Sequence, residues 1–96
     1  MIYNSDVIEI RETIVFSAWL AALRDAQARA RIQARIIRLK LGNPGDVKPV
    51  GEGVSELRID SGPGYRIYYI QRGPLSIVLL AGGAKANQDK DIKSAL

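Results

Sequence analysis

Glu56, Arg58, Arg66 and Tyr68 are the side chains of this chain best suited to handling a phosphate: one carboxylate, two guanidiniums and a phenol. They fall in two apparent strands, Val54–Asp60 and Tyr65–Gln71, joined across Ser61-Gly62-Pro63-Gly64. Successive side chains of a strand project to opposite faces. Leu57 and Ile59 therefore point one way with Ile67 and Tyr69, which suits a core. Glu56, Arg58, Arg66 and Tyr68 are left together on the open side. Two forked guanidiniums can each grip two phosphate oxygens, but the same residues would also make an ordinary solvated sheet face. Lys48 lies in the loop before this hairpin, and Lys85 beside the end of the next apolar run.

Composition narrows the chemistry. The 96 residues contain neither histidine nor cysteine. That excludes the commonest general base, the usual zinc ligands, thiolate nucleophiles and a disulfide framework. Any reaction has to use Lys, Arg, Asp, Glu, Tyr or Ser. Hydrophobic residues make up 47% and charged residues 25%, which suits one globular domain over 1–96. No basic leader and no membrane-length apolar run is present, so a soluble, cytoplasmic protein is expected. The net charge of +4 points to an anionic partner. Its excess is concentrated between Arg24 and Lys48, where seven basic side chains face Asp25 and Asp46 alone.

The elements that must position these groups follow from periodicity and caps. Asp6–Ile10 reads as a short strand with Ile8 and Ile10 inward. Thr13 can cap a helix to about Leu23, with Phe16, Leu20 and Leu23 at helical spacing and Trp19 packed beside them. Asp25 can cap a second helix folded back as a hairpin, with Ala28, Ile32, Ile36 and Leu39 as its buried stripe. Gly42 suits the left-handed position after its end. At about 100° per residue, Arg24, Arg31, Arg35 and Arg38 lie along one flank, with Arg29 and Lys40 on the other. This flank is either a solvated helix face or a docking ridge for RNA or an acidic partner.

Asp46–Gly53 reads as a loop. Leu75–Ala81 lacks alternation and is expected as a strand buried on both faces in mid-sheet, ending in a turn at Gly82-Gly83-Ala84-Lys85. Asn87 can cap a last short helix, with Asp89 and Asp91 in its first turn. The resulting order, β-α-α-β-β-β-α, is α+β: an antiparallel sheet with a helical hairpin on one side and a short C-terminal helix. Gly82-Gly83-Ala84-Lys85 lacks the spacing and the Ser/Thr of a phosphate loop, and Gly51-x-Gly53 precedes its strand, so neither is a nucleotide fingerprint. Asp89 and Asp91 are explained as helix-start residues, leaving no expected metal or cofactor.

Several segments together resemble a known family. They are F-x-x-W-L-x-x-L-x-D (Phe16, Trp19, Leu20, Leu23, Asp25), R-I-x-x-R-I (Arg31, Ile32, Arg35, Ile36) and G-N-x-G-D-x-K-x-V-G-E-G-V-x-E-L-R-I (Gly42–Ile59). G-P-G-Y-R-I-Y-Y (Gly62–Tyr69) and L-L-A-G-G-x-K-x-x-Q-x-x-D-I (Leu79–Ile92) complete the set. The chain resembles, over nearly its whole length, the RelE/ParE superfamily of type II toxin–antitoxin toxins, in its HigB-like, phage-derived addiction module killer branch. The stretch from Lys48 to Tyr69 is the specific part.

The resemblance implies a RelE-like fold and a cytoplasmic toxin held inactive by an antitoxin, of helix-turn-helix type, encoded beside it. Operator DNA would be met only through that antitoxin. Toxins of the HigB and RelE kind enter the ribosomal A site and cut mRNA without a metal. The ribose 2′-OH attacks the adjacent phosphate, leaving a 2′,3′-cyclic phosphate. By that resemblance Arg58 and Arg66 clamp the phosphate, and Lys85 matches a basic position of the family's site. Lys48 borders the same face, Glu56 is an alternative base, and Tyr68 stacks or donates. The chain departs from some members in having no Tyr or His after Lys85, and its last helix stops early at Leu96. Its site therefore relies on Lys and Glu, or cleaves weakly, or serves another target. ParE-like inhibition of DNA gyrase without nuclease activity, and a decayed toxin that only binds its antitoxin in operon repression, are the other functions this fold would allow.

Overall fold

The computed structural model describes residues 8–96. In chain order it contains β1 (Glu9–Glu12), α1 (Ile14–Ala22), α2 (Ala26–Lys40), β2 (Val47–Gly51), β3 (Val54–Ile59), β4 (Tyr65–Gln71), β5 (Ser76–Ala84), a 3-10 turn (Lys85–Asn87) and α3 (Gln88–Ala95). The class is α+β. Both long helices start where their caps predict. Thr13 Oγ1 accepts from the Phe16 amide at 3.1 Å, and Asp25 Oδ1 accepts from Gln27 and Ala28 at 3.0 and 3.2 Å. Gly42 follows α2 at φ +86°, a conformation in which a side chain would be strained.

Five strands form one sheet in the order β1-β5-β4-β3-β2. Phe16 of α1 and Ala28, Ile32 and Leu39 of α2 share a core with Leu57, Ile59, Ile67, Tyr69, Ile77 and Leu79 on one sheet face. The alternation read from the hairpin thus predicts its core face correctly. Ile36 is only half-buried.

The sheet corrects several expectations. It is mixed: β1 runs parallel to β5, from Glu9↔Ser76 to Glu12↔Leu79, whereas the other pairs are antiparallel. An isolated strand's pattern carries no direction; the long connection between β1 and β5 sets it. The first strand lies two or three residues later than expected, and Asp6 falls outside the described residues. The expected loop Asp46–Gly53 contains β2, paired through Val47↔Leu57, Lys48↔Glu56 and Pro49↔Ser55. Pro49 and Gly51 make this segment look like a loop, but proline is tolerated on an edge strand because one side of the ladder is unused.

The apolar strand, expected at Leu75–Ala81, runs on to Ala84, and Val78 and Leu80 are only half-buried. It lies between β1 and β4, one strand in from the edge. Gly82-Gly83 is therefore part of β5 and not a turn. The pairs Tyr69↔Leu79 and Tyr68↔Ala81 skip Leu80, a β-bulge that reverses which face later residues meet. After it Gly82 shares the helical face with Ile67, and Gly83 the opposite face with Arg66. A Cβ at Gly82 would intrude on the Trp19 ring of α1, and one at Gly83 on the Asp91 carboxylate of α3. The two glycines let a helix press on each side of the strand. Gly82→Ala is expected to lower stability by about 1–3 kcal/mol through overpacking, read as a shift of the denaturant midpoint.

Candidate functional site

Lys48, Glu56 and Tyr68 are register partners across β2, β3 and β4, and Arg58 stands opposite Arg66. Opposed residues of an antiparallel pair share a face, as do alternate residues along a strand. All five therefore lie on the face turned away from α1 and α2. Lys85 joins them at the β5 end, where its amide donates to the Gly64 carbonyl at 2.9 Å. A methyl placed at Gly64 would touch Lys85 Cβ at 3.3 Å and stand 3.8 Å from Arg66 Nη1. Lys48, Arg58 and Arg66 thus share one sheet face, with Lys85 beside its Gly64 end.

The face is not open, however. α3 lies over it, and Gln88 Nε2 donates to Glu56 Oε2 at 2.7 Å. Glu56 and Tyr68 are fully buried, and Arg66 is 5% exposed. The helix begins after the 3-10 turn, and Asn87 makes no side-chain cap. None of its residues is buried as a whole, although Asp91 Oδ2 is. Periodicity alone could not reveal this cover, because Gln88 and Glu56 are 32 residues apart.

Glu56 holds both guanidiniums at arm's length. Its Oε1 is 3.6 Å from Arg58 Nε and 3.8 Å from Arg66 Nε. These separations exceed the roughly 2.7–2.9 Å of a charge-assisted hydrogen bond. Arg58 also lies 3.9 Å from the exposed Asp46 carboxylate. Among the described residues Glu56 Oε1, Arg66 Nε, Tyr68 Oη and Asp91 Oδ2 are buried without a hydrogen-bond partner. Such groups forgo water without full compensation.

Burial, reinforced by the Glu56 and Asp91 carboxylates, holds the Tyr68 phenol protonated far above its ordinary range. Tyr68 therefore stays a neutral phenol and is not available as a phenolate base. Burial likewise raises the Asp91 carboxyl above its usual value, against the pull of Lys90. Gln88 and Asp91 are fixed positions of the Leu79–Ile92 segment, but sequence reasoning assigns neither of them to this cluster. Their three-residue spacing places them on one side of a helix, but nothing local says what that side meets.

The basic flank divides. Arg31, Arg35 and Arg38 line one cleft beside Ile59 and Asp60. Arg24 is exposed in the α1–α2 link and does not belong to it. Arg35 is no free ridge residue, since its guanidinium donates to the carbonyls of Arg58, Pro44 and Asp46. Among the described residues there is no group of three or more carboxylates suited to a metal, and no helix is long and apolar enough to cross a membrane.

No family model matches the chain. An uncharacterized protein of Haemophilus influenzae (strain ATCC 51907 / DSM 11121 / KW20 / Rd) is 50% identical to it over 88 residues, covering 92% of this chain and 89% of that protein. The chain belongs to the same family as that protein. The match spans nearly the full length of both chains.

Within this family member, α3 decides access to the polar cluster. Gly83→Ala is expected to lift α3 by driving a methyl into Asp91, while Asp91→Asn removes a half-buried charge and should seat it more firmly. Hydrogen exchange of the α3 amides should accelerate roughly ten-fold or more in the first variant, corresponding to 1–3 kcal/mol of overpacking, and slow in the second.

Proposed function

We propose that this protein is a RelE/ParE-superfamily toxin of the HigB-like branch, with the RelE-like topology of that group. In this reading it is a cytoplasmic, metal-independent endoribonuclease that cuts mRNA on translating ribosomes. The observation that carries the reading is the placement of Lys48, Arg58 and Arg66 with Glu56 on one sheet face, with Lys85 at its Gly64 end. A phosphate entering there would compete for two guanidiniums that Glu56 holds only at 3.6 and 3.8 Å.

The reaction needs nothing beyond the RNA and these side chains. The 2′-oxygen bonds to phosphorus as its proton passes to a base. The bond to the 5′-oxygen breaks, and an acid protonates that leaving oxygen. Glu56 is the base available at the centre of the cluster; Lys85 or Lys48 supplies the leaving proton. Arg58 and Arg66 stabilise the charge that builds on the phosphate. α3 must move away for RNA to reach Glu56, Arg66 and Tyr68.

The antitoxin partner in this reading covers apolar surface left bare by the fold. Ile14 is 87%, Ile37 58% and Leu41 68% exposed, and Leu20, Ile36 and Ile37 border a groove of about 340 Å³.

One observation favours the gyrase-binding alternative. Arg66, Tyr68 and Glu56 are buried, and a toxin that only binds its target has no need to expose them. Cell-free translation with primer-extension mapping separates the two. Cuts that appear only while ribosomes translate support the nuclease; intact message with inhibited gyrase supercoiling supports the alternative. Neither effect would leave antitoxin binding and operon repression.

A further inference from the structure

The strongest feature outside the Glu56 cluster is a cleft of about 320 Å³ between α2 and the outgoing end of β3, lined by Arg31, Ala34, Arg35, Arg38, Ile59 and Asp60. Its size is that of a small-ligand site. One wall carries guanidiniums from successive turns of α2, the other a single exposed carboxylate, and Ala34 and Ile59 contribute apolar surface between them.

Arg35 is fixed in that wall. Its Nη1 donates to the Arg58 carbonyl at 2.7 Å, and Nη2 to the Pro44 and Asp46 carbonyls at 2.9 and 3.4 Å. Carbonyls engage both terminal nitrogens without cancelling the charge, while Nε is buried without a partner. Arg31 and Arg38 flank it in solvent and are not ion-paired among the described residues. Burial and the neighbouring Arg38 charge both lower the Arg35 pKa, against the opposing pull of Asp46. The wall is short of negative charge.

A bare phosphate would satisfy the arginines but gain nothing from Asp60 or the apolar floor. A nucleotide uses all three: phosphate on Arg31 and Arg38, a flat ring against Ala34 and Ile59, and an amino or hydroxyl donor to Asp60. We propose that this cleft is a nucleotide subsite that takes one phosphate and one base of a single-stranded RNA.

The choice of RNA over a free nucleoside monophosphate rests on the nuclease reading above. Arg35 grips the carbonyl of Arg58, whose side chain stands on the opposite face beside Glu56. The cleft and the cluster thus flank the same end of β3, and a strand bent around that end meets both.

The test is fluorescence anisotropy with a fluorescein-labelled single-stranded RNA hexanucleotide at low salt. Wild-type protein should bind. Arg31→Ala combined with Arg38→Ala should weaken binding at least ten-fold. The slope of log K against log salt should flatten by about 0.7, the change expected when one phosphate of a single strand is no longer neutralised. Arg38→Glu should weaken binding further than Arg38→Ala. Asp60→Asn should change the preference among homopolymeric hexanucleotides with an unchanged salt slope. Arg35 is left intact because its loss would detach the Pro44–Asp46 segment from α2.

No wild-type binding, or a double variant with wild-type affinity and slope, overturns the subsite. Displacement by tripolyphosphate as effective as by adenosine monophosphate reduces it to a polyanion surface and overturns the nucleotide assignment. Displacement by the monophosphate at the same concentration as by unlabelled hexanucleotide overturns RNA in favour of a free nucleotide. RNA bound as expected but message left uncut would sink the nuclease alone; message cut by a protein whose double variant binds normally would sink the cleft alone.

Discussion

On the proposed nuclease reading, Arg58→Ala is expected to reduce ribosome-dependent message cutting by roughly 10²–10³-fold, the usual loss when one preorganised donor to a developing oxyanion is removed, while the protein stays folded. Its side chain is 39% exposed, and its partners, Glu56 and Asp46, lie at 3.6 and 3.9 Å. The Asp46 pair is open and long and contributes about 1 kcal/mol or less, and the buried Glu56 carboxylate keeps a second cation, Arg66 at 3.8 Å, when Arg58 is lost. Cutting is measured by primer extension in cell-free translation, and the fold by the urea midpoint. A variant that still cuts at the wild-type rate would remove Arg58 from the phosphate site, and growth arrest should follow the cutting rate.

Arg66→Ala is the opposite case: its main effect falls on the fold. Arg66 and Glu56 side chains are 6% and 0% exposed, so removing the guanidinium leaves a buried carboxylate whose other cation stands in half-open solvent. Breaking such a pair from one side costs about 3–5 kcal/mol, a large part of the stability of a 96-residue domain. The penalty should shrink when Glu56→Gln is added, since a neutral amide needs no counter-charge, and the difference between the two double-mutant legs gives the coupling. If Arg66→Ala unfolds at the wild-type midpoint, the ion pair is not what balances Glu56. Loss of toxicity in this single variant would not by itself identify Arg66 as catalytic; Arg58 separates chemistry from stability.

The hairpin at the centre of the domain is legible in the sequence because its information is local. Alternation along Val54–Ile59 and Tyr65–Gln71 separates Leu57, Ile59, Ile67 and Tyr69 from Glu56, Arg58, Arg66 and Tyr68, and the register observed keeps that division. Thr13, Asp25 and Gly42 mark helix ends for the same reason: a cap is a contact within a few residues. The grouping of Lys48 and Lys85 with the two arginines comes from the resemblance, since local pattern puts Lys48 in a loop and Lys85 in a turn.

What escapes is non-local or carried by atypical residues. β2 consists of a valine, a lysine, a proline, a valine and a glycine, and becomes a strand only because β3 offers it an edge. The bulge at Leu80 turns a glycine pair that reads as a turn into the point where α1 and α3 press on opposite sides of β5. Arg35 reads as one of several surface cations until the Pro44 and Asp46 carbonyls are brought beside it.

By itself, the sequence determined which side chains could share a face, where the long helices begin, and that any chemistry must proceed without histidine or cysteine. Tertiary structure alone decided the parallel placement of β1, the burial of the Glu56 cluster beneath α3, and the separation of the α2 arginines into a locked residue and its exposed neighbours. The physical reason is range. Side-chain alternation and capping act over a few residues, whereas coverage of a sheet face and satisfaction of a buried charge depend on groups such as Gln88 and Glu56, 32 positions apart, that only the folded chain brings together.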